Sequence, residues 1–172
     1  MQAMPEYIFN TTALSNFSAA DRIEILKARY KGIAFTTMEV CDELRRGKKA
    51  GYAYLDSALQ QIVDIGNKGW LRILAPDSHS EHLLRSEFDE IFGPGEASCL
   101  ALAISRSFTF VTDDLAARKL AEERKVPITG TLGILITLVR NEHISLKEAN
   151  MMLKDMINRD YRAPIERLDE LI

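Results

Sequence analysis

The amino-acid sequence predicts an α/β protein in one domain, with a mostly parallel sheet at its centre. Two observations point there. Short apolar runs alternate with amphipathic stretches of helical period along the chain, the pattern of βα units. The 172 residues also show no internal repeat, no low-complexity segment and no linker, so a single core must hold them. A chain of this length buries about 70% of the surface it exposes when unfolded, enough to need no disulfide or metal staple.

Taken in order, strands are expected at residues 7–9 (YIF), 33–35 (IAF), 71–74 (LRIL), 108–111 (FTFV) and 126–128 (VPI). These runs are dominated by β-branched, aromatic or long apolar side chains. Helices are expected at 20–30, 37–46, 52–65, 80–92, 96–105, 115–124, 131–140 and 145–158. The helix at 96–105 carries an apolar face of Ala97, Leu100, Ala101 and Ile104, and Gly93, Pro94 and Gly95 start it. The helix at 145–158 opens on Ser145 with Glu148 three residues on, the spacing of a capping box. Helical structure over 145–172 is expected to pack on the rest as part of the one domain.

Composition narrows the function. Apolar residues make up 47% and charged residues 27%, as in ordinary globular proteins. The net charge of -3 supplies no global attraction for nucleic acid, so any such binding must use a local basic patch. Cys41 and Cys99 are too few and too far apart for a zinc site or a disulfide framework, and read as buried free thiols in a reducing compartment. The start, MQAMPEYIFN, has neither the basic region nor the apolar core of a signal peptide, and no apolar run reaches the ~18 residues of a membrane span. A cytoplasmic protein with no membrane partner is expected.

The stretch FTFVTDDLAARKLAEE, from Phe108 to Glu123, ends a buried strand in two adjacent carboxylates. Two carboxylates ~4 Å apart repel by roughly 4 kcal/mol at an effective dielectric of ~20, so the pair needs a cation, a shared proton or solvent. One reading is a helix cap by Asp113 with a solvated neighbour. The other comes from the sheet, because ligands of parallel α/β sheets bind at the carboxyl ends of the strands. Asn10, Thr11 and Thr12 follow the first strand, and Thr36 and Thr37 the second, with Asp42 and Glu43 in the helix beyond. Glu96 opens the helix that leads into the fourth strand, which ends in Thr112, Asp113 and Asp114. An oxygen-rich cluster of this kind suits a hard cation such as Mg²⁺ or Mn²⁺.

The residues resemble the PIN domain family, in the branch with Asn or Asp, then Thr and Ser/Thr, after strand one. The likeness lies in NTT at Asn10 to Thr12, V-x-x-E-L at Val40 to Leu44, G-E-A at Gly95 to Ala97 and T-D-D at Thr112 to Asp114. RKLAE at Arg118 to Glu122 and TGTLGIL at Thr129 to Leu135 complete the ordered set, over about residues 7–140. The resemblance implies a three-layer α/β/α sandwich and hydrolysis of RNA phosphodiesters with Mg²⁺ or Mn²⁺, often as the VapC-type toxin of a toxin-antitoxin pair. Its implied catalytic residues are Asn10, Glu43, Glu96 and Asp114. Asp113 would join Asn10, Glu43, Glu96 and Asp114 at the metal, with Thr12 and Thr112 in support. Most PIN nucleases carry Asp at the position of Asn10, and an amide ligates a cation without adding charge.

Arg45, Arg46, Lys48 and Lys49 follow Glu43, and Arg118 and Lys119 come one turn after Asp114. Both clusters are placed to hold RNA phosphates. Expected partners are RNA as substrate, a small antitoxin protein and a second copy of the chain as a homodimer. His79 and His82 read as a surface helix start, and Trp70 as core. Met151, Met152 and Met156 read as a core-facing set, and Gly130 and Gly133 as turn and close-packing glycines. Two other functions compete with the endoribonuclease: a PIN-fold RNA- or protein-binding module that has lost catalysis through Asn10, and a DNA nuclease using the same acids.

Overall fold

The computed structural model describes residues 4–172. Among them are five strands, β1 (Tyr7–Phe9), β2 (Ala34–Thr37), β3 (Arg72–Leu74), β4 (Thr109–Val111) and β5 (Ile128–Thr129). They form one parallel sheet in the order β3-β2-β1-β4-β5. The chain runs outward from β1 through β2 to β3, then returns to place β4 on the other side of β1. The switch point therefore lies between β1 and β4, where such sheets open a crevice. Ile8 pairs with Phe110 and Phe9 with Val111, so Asn10 and Thr112 leave the sheet at the same level. Central strands of a parallel sheet are covered on both faces and need apolar side chains throughout; Ile8, Phe9, Phe110 and Val111 are fully buried.

Nine α-helices flank the sheet among the described residues: α1 (Thr11–Ala19), α2 (Ile25–Tyr30), α3 (Met38–Lys49), α4 (Asp56–Leu59), α5 (His79–Asp89), α6 (Pro94–Arg106), α7 (Leu115–Glu123), α8 (Thr131–Arg140) and α9 (Leu146–Asn158). This is the α/β/α sandwich expected. α6 packs on β1, β2 and β4, and its small residues Ala97, Ala101 and Ala103 are buried there. Ser107 takes a left-handed backbone conformation and turns the chain from α6 into β4. The Ser145–Glu148 capping box forms as expected.

Several elements differ from the sequence reading. α1 was not expected, because TTALSNFSA mixes β-branched, Ser and Asn residues of weak helix propensity. Asn10 caps it, and burial of Ala13, Leu14 and Phe17 outweighs that propensity. The helix expected at 20–30 is cut to α2, with Asp21 at a positive φ of 54° in the turn before it. The helix expected at 52–65 breaks into a 3-10 turn (Ala53–Leu55) and α4. Beyond α4 the Gln61 carbonyl accepts from Trp70 and Leu71 N–H groups, folding the segment back onto the edge of β3. α6 starts at Pro94, two residues before Glu96, with Gly93 as its N-cap. β5 lies at Ile128–Thr129 instead of 126–128. After α9 the chain is not helical, yet Leu168 is fully buried, and its N–H donates to Asn150 Oδ1 at 2.8 Å.

Candidate functional site

The exits of β1, β2 and β4 and the start of α6 meet at the carboxyl edge. Asn10 is the first contact across the switch point. Its Oδ1 accepts the Thr11 N–H at 2.7 Å, which caps α1. With the oxygen so used, the NH2 group points the other way, donating to Glu96 Oε1 at 3.2 Å and to Thr112 Oγ1 at 3.3 Å. Asn10, expected among the metal ligands, is therefore a donor to a carboxylate in this structure and only 1% exposed.

Glu43 reaches from α3 to the start of α6. Its Oε1 accepts the Gly95 N–H at 2.9 Å, and its Oε2 accepts the Thr11 hydroxyl. A β-carbon at position 95 would lie 2.5 Å from Glu43 Oε2, so Gly95 is what permits this approach. Glu96 stands next in the same first turn, half-buried. Its carboxyl pKa is pushed up to about 7, first by burial, then by the charge of Asp114 and more weakly by Glu43, while the Asn10 hydrogen bond opposes the rise. Glu43 and Asp114 are thus each within electrostatic reach of Glu96.

The paired aspartates take different directions. Asp114, not Asp113, caps α7, its Oδ1 accepting the Ala117 N–H at 2.7 Å. Both oxygens of Asp113 are engaged at the start of α8: Oδ1 accepts the Thr131 N–H at 2.8 Å and Oδ2 the Thr131 hydroxyl at 2.5 Å. Asn16 and Tyr161 add longer hydrogen bonds, at 3.3 and 3.4 Å. A β-carbon at Gly130 would sit 2.5 Å from Asp113 Oδ1, which explains the glycine there. Thr12 and Thr112 hold the backbone of this exit: Asp113 N–H donates to Thr12 Oγ1 at 3.1 Å and Asp114 N–H to Thr112 Oγ1 at 3.2 Å.

The basic residues are less uniform than the sequence suggests. Arg45 pairs with Asp42 at 3.0 Å and Lys48 with Asp56 at 2.6 Å. Arg46, Lys49 and Lys119 are exposed and make no ion pair among the described residues. Arg118 donates to the Thr112 carbonyl at 3.0 Å, which places its guanidinium at the β4 exit. The two thiols are buried beneath the site, and burial raises both pKa values, so they stay neutral. Trp70 is core, as read, its indole N–H donating to Gln61 at 2.8 Å. His79 and His82 are exposed near the start of α5, and Met152 and Met156 are buried while Met151 is not.

Sequence reasoning did not single out Thr11, Asn16, Thr131 or Tyr161 as partners of the acids. Only Thr131, a hydroxyl following glycine at a helix start, carried a local signal. Asn16 and Tyr161 reach Asp113 through tertiary contacts that no spacing reveals.

Among the described residues, no three Asp, Glu, His or Cys side chains stand close enough together to hold a metal ion as they are. Charge and donor type nonetheless fit a hard divalent cation. The three acids bring oxygen donors, and the charges of Asp114 and Glu43 both act on Glu96, adding to the rise that burial gives its pKa.

A parallel α/β sheet with acids gathered at its switch point is an architecture whose ligands bind at the carboxyl ends of the strands. A family model described as PIN domain matches residues 6–172, nearly the whole chain, and the protein belongs to that family. PIN domains have a nuclease-type fold and generally use divalent metals. No curated protein matches the chain. Among the described residues no helix is long and apolar enough to cross a membrane.

Proposed function

We propose that the protein is a divalent-metal-dependent endoribonuclease acting as the toxin of a type II toxin-antitoxin pair. The observation that carries the nuclease reading is the meeting of three acids at the switch point: Glu43 accepts from the Gly95 N–H beside Glu96, and the Asn10 amide donates both to Glu96 and to Thr112, whose hydroxyl accepts the Asp114 N–H. Family membership supports the chemistry, and the toxin role extends the resemblance of the sequence motifs. Glu43, Glu96 and Asp114 would hold Mg²⁺ or Mn²⁺, which when bound neutralises phosphoryl oxygens and acidifies water. Asn10 orients Glu96 through its NH2 group. Thr11 and the Gly95 N–H hold Glu43, and Asp113 fixes the β4 exit against α8. Arg118 and Lys119 on α7, with Arg46 and Lys49 on α3, supply phosphate contacts.

A second reading is favoured by Asn10 itself. Its amide gives Glu96 a partner without a metal, which suits a binding module that no longer cleaves. Incubation of the purified protein with mixed structured RNAs decides between them. The nuclease cleaves with Mn²⁺ and not in EDTA, and Glu96→Gln and Asp114→Asn abolish cleavage while keeping the fold. Wild type that neither cleaves RNA nor melts at a higher temperature with Mn²⁺ would leave the binding module.

A further inference from the structure

Beside the acidic cluster lies a cleft of about 530 Å³, lined by Leu115 and Arg118 of α7, Ile128 of β5, Leu132 of α8, and Tyr161 and Arg162 of the segment after α9. Its volume is that of a small-molecule site and excludes a duplex. Most arginines of the chain are neutralised by an acid or lie over a ring: Arg85 and Arg106 bind carboxylates, while Arg29, Arg72 and Arg159 cover aromatic faces. Arg118 and Arg162 form no ion pair among the described residues, and both line this cleft. The acid in the lining, Asp113, is held by Thr131 through both oxygens and keeps its charge, so the lining sets two guanidinium groups against one carboxylate.

The other walls are apolar or aromatic. Leu115 is 81% exposed, a large apolar side chain left open at the cleft, and Tyr161 contributes a ring. Planar guanidinium forks match phosphate oxygens, while an aromatic ring beside aliphatic side chains matches the face of an unpaired base. Arg118 follows Asp114 by four residues and so lies one helical turn from it. A strand whose phosphate lay at Glu96 and Asp114 would carry its neighbouring nucleotide to the cleft.

We infer that the cleft is a subsite for one unpaired nucleotide of RNA, with the base against Tyr161, Leu115 and Leu132 and the phosphate on Arg118 and Arg162. It rests on the nuclease reading for its substrate, yet binding can be measured apart from cleavage. The probe is a fluorescently labelled single-stranded RNA hexanucleotide in EDTA, followed by anisotropy at several salt concentrations. Arg162 and Leu115 are exposed, so Arg162→Ala and Leu115→Ser keep the fold. Arg162→Ala should weaken binding about fivefold or more and lower the salt slope by about 0.7, the value of one single-strand phosphate contact. Leu115→Ser should weaken binding by a smaller factor and leave the slope unchanged.

Wild type that binds no hexanucleotide, or an Arg162→Ala variant with unchanged affinity and slope, overturns the subsite. Weakening by Arg162→Ala alone removes the base from the cleft and overturns it as well. Cleavage with Mn²⁺, assayed on the same wild-type protein, separates the two readings. Variant-sensitive binding without cleavage leaves the subsite standing and the nuclease refuted, and cleavage with variant-insensitive binding does the reverse.

Discussion

Replacing Asp114 by Asn removes a charge while keeping a helix cap, because Asp114 Oδ1 accepts the Ala117 N–H and Asn caps a helix about as well as Asp. The cost to α7 is the lost charge at its positive end, about 0.3–1 kcal/mol. Against this stands relief at Glu96, whose pKa of about 7 owes its second-largest rise to Asp114. The unfolded chain titrates this carboxyl near 4.5. Between those values the folded protein binds the extra proton, so stability falls as pH rises through the window and the loss is complete above it. In a sealed site the shift would correspond to about 3 kcal/mol. Glu96 is half-open to water, whose screening leaves about 1–2 kcal/mol. In EDTA, wild type should therefore be less stable by about that amount at about pH 8 than at about pH 5, over a background shared with the variant. Asp114→Asn should lose roughly 0.5–1 kcal/mol less over the same range, and should gain less stability than wild type from added Mn²⁺. Urea denaturation at the two pH values measures both. An equal loss in the two proteins would refute the coupling of Glu96 to Asp114. As a control, Asp114→Ala should lose the cap as well, costing about 1 kcal/mol at either pH.

Asn10→Asp keeps the cap of α1 but turns the donor facing Glu96 into a like charge; metal-free stability should drop by about 1–3 kcal/mol, and calorimetry should show tighter Mn²⁺ binding than wild type. Arg106 binds Glu81, whose side chain is 3% exposed, and this hydrogen bonding holds the Glu81 carboxyl down to about 2. Arg106→Leu would strand that carboxylate and should cost about 3–5 kcal/mol in urea denaturation near neutral pH. In wild type the pair's contribution persists above the ordinary carboxyl range and fades as pH falls toward about 2. If Arg46 and Lys49 hold RNA, Arg46→Gln with Lys49→Gln should reduce the salt slope of single-strand binding by about 1.4, two contacts at ~0.7 each; an unchanged slope would place the RNA track elsewhere.

The sheet and most helices were legible because each wrote its period into the sequence. YIF, IAF and FTFV read as strands from their short apolar runs, and the observed strands β1, β2 and β4 overlap them; the Ser145–Glu148 box marked its helix start. α1 was not legible, since its residues have poor intrinsic propensity and its stability comes from a cap and from Phe17 in the core. The helix expected at 52–65 was misread for the complementary reason. Its apolar spacing was real, but Ile62 serves the sheet edge, where it bridges to Leu71. At the site, the identity of the acids was legible and their orientation was not. Whether Asp113 or Asp114 caps α7 depends on where the following helix begins and on Thr131, which lies on another element.

The orientations follow from the topology. In a parallel sheet every strand ends at the same edge, and the helix that follows begins there, so helix N-termini collect where the acids do. Four of the five polar or acidic residues of the cluster meet one: Asn10 caps α1, Glu43 accepts from Gly95 at the start of α6, Asp114 caps α7 and Asp113 accepts from Thr131 at the start of α8. Partial positive charge from these termini, about half a unit each, offsets repulsion that would otherwise require a cation. Glu96 accepts instead from the Asn10 amide, and its proton affinity rises. An Asp at position 10 would still cap α1 through one oxygen while setting the other against Glu96, so the site would depend more on a metal. The amide shifts the balance toward the metal-free state. Asn10→Asp should accordingly move metal-free stability and metal affinity in opposite directions, whereas a residue that served only as a helix cap would gain about 0.3–1 kcal/mol from the added charge and leave metal affinity unchanged.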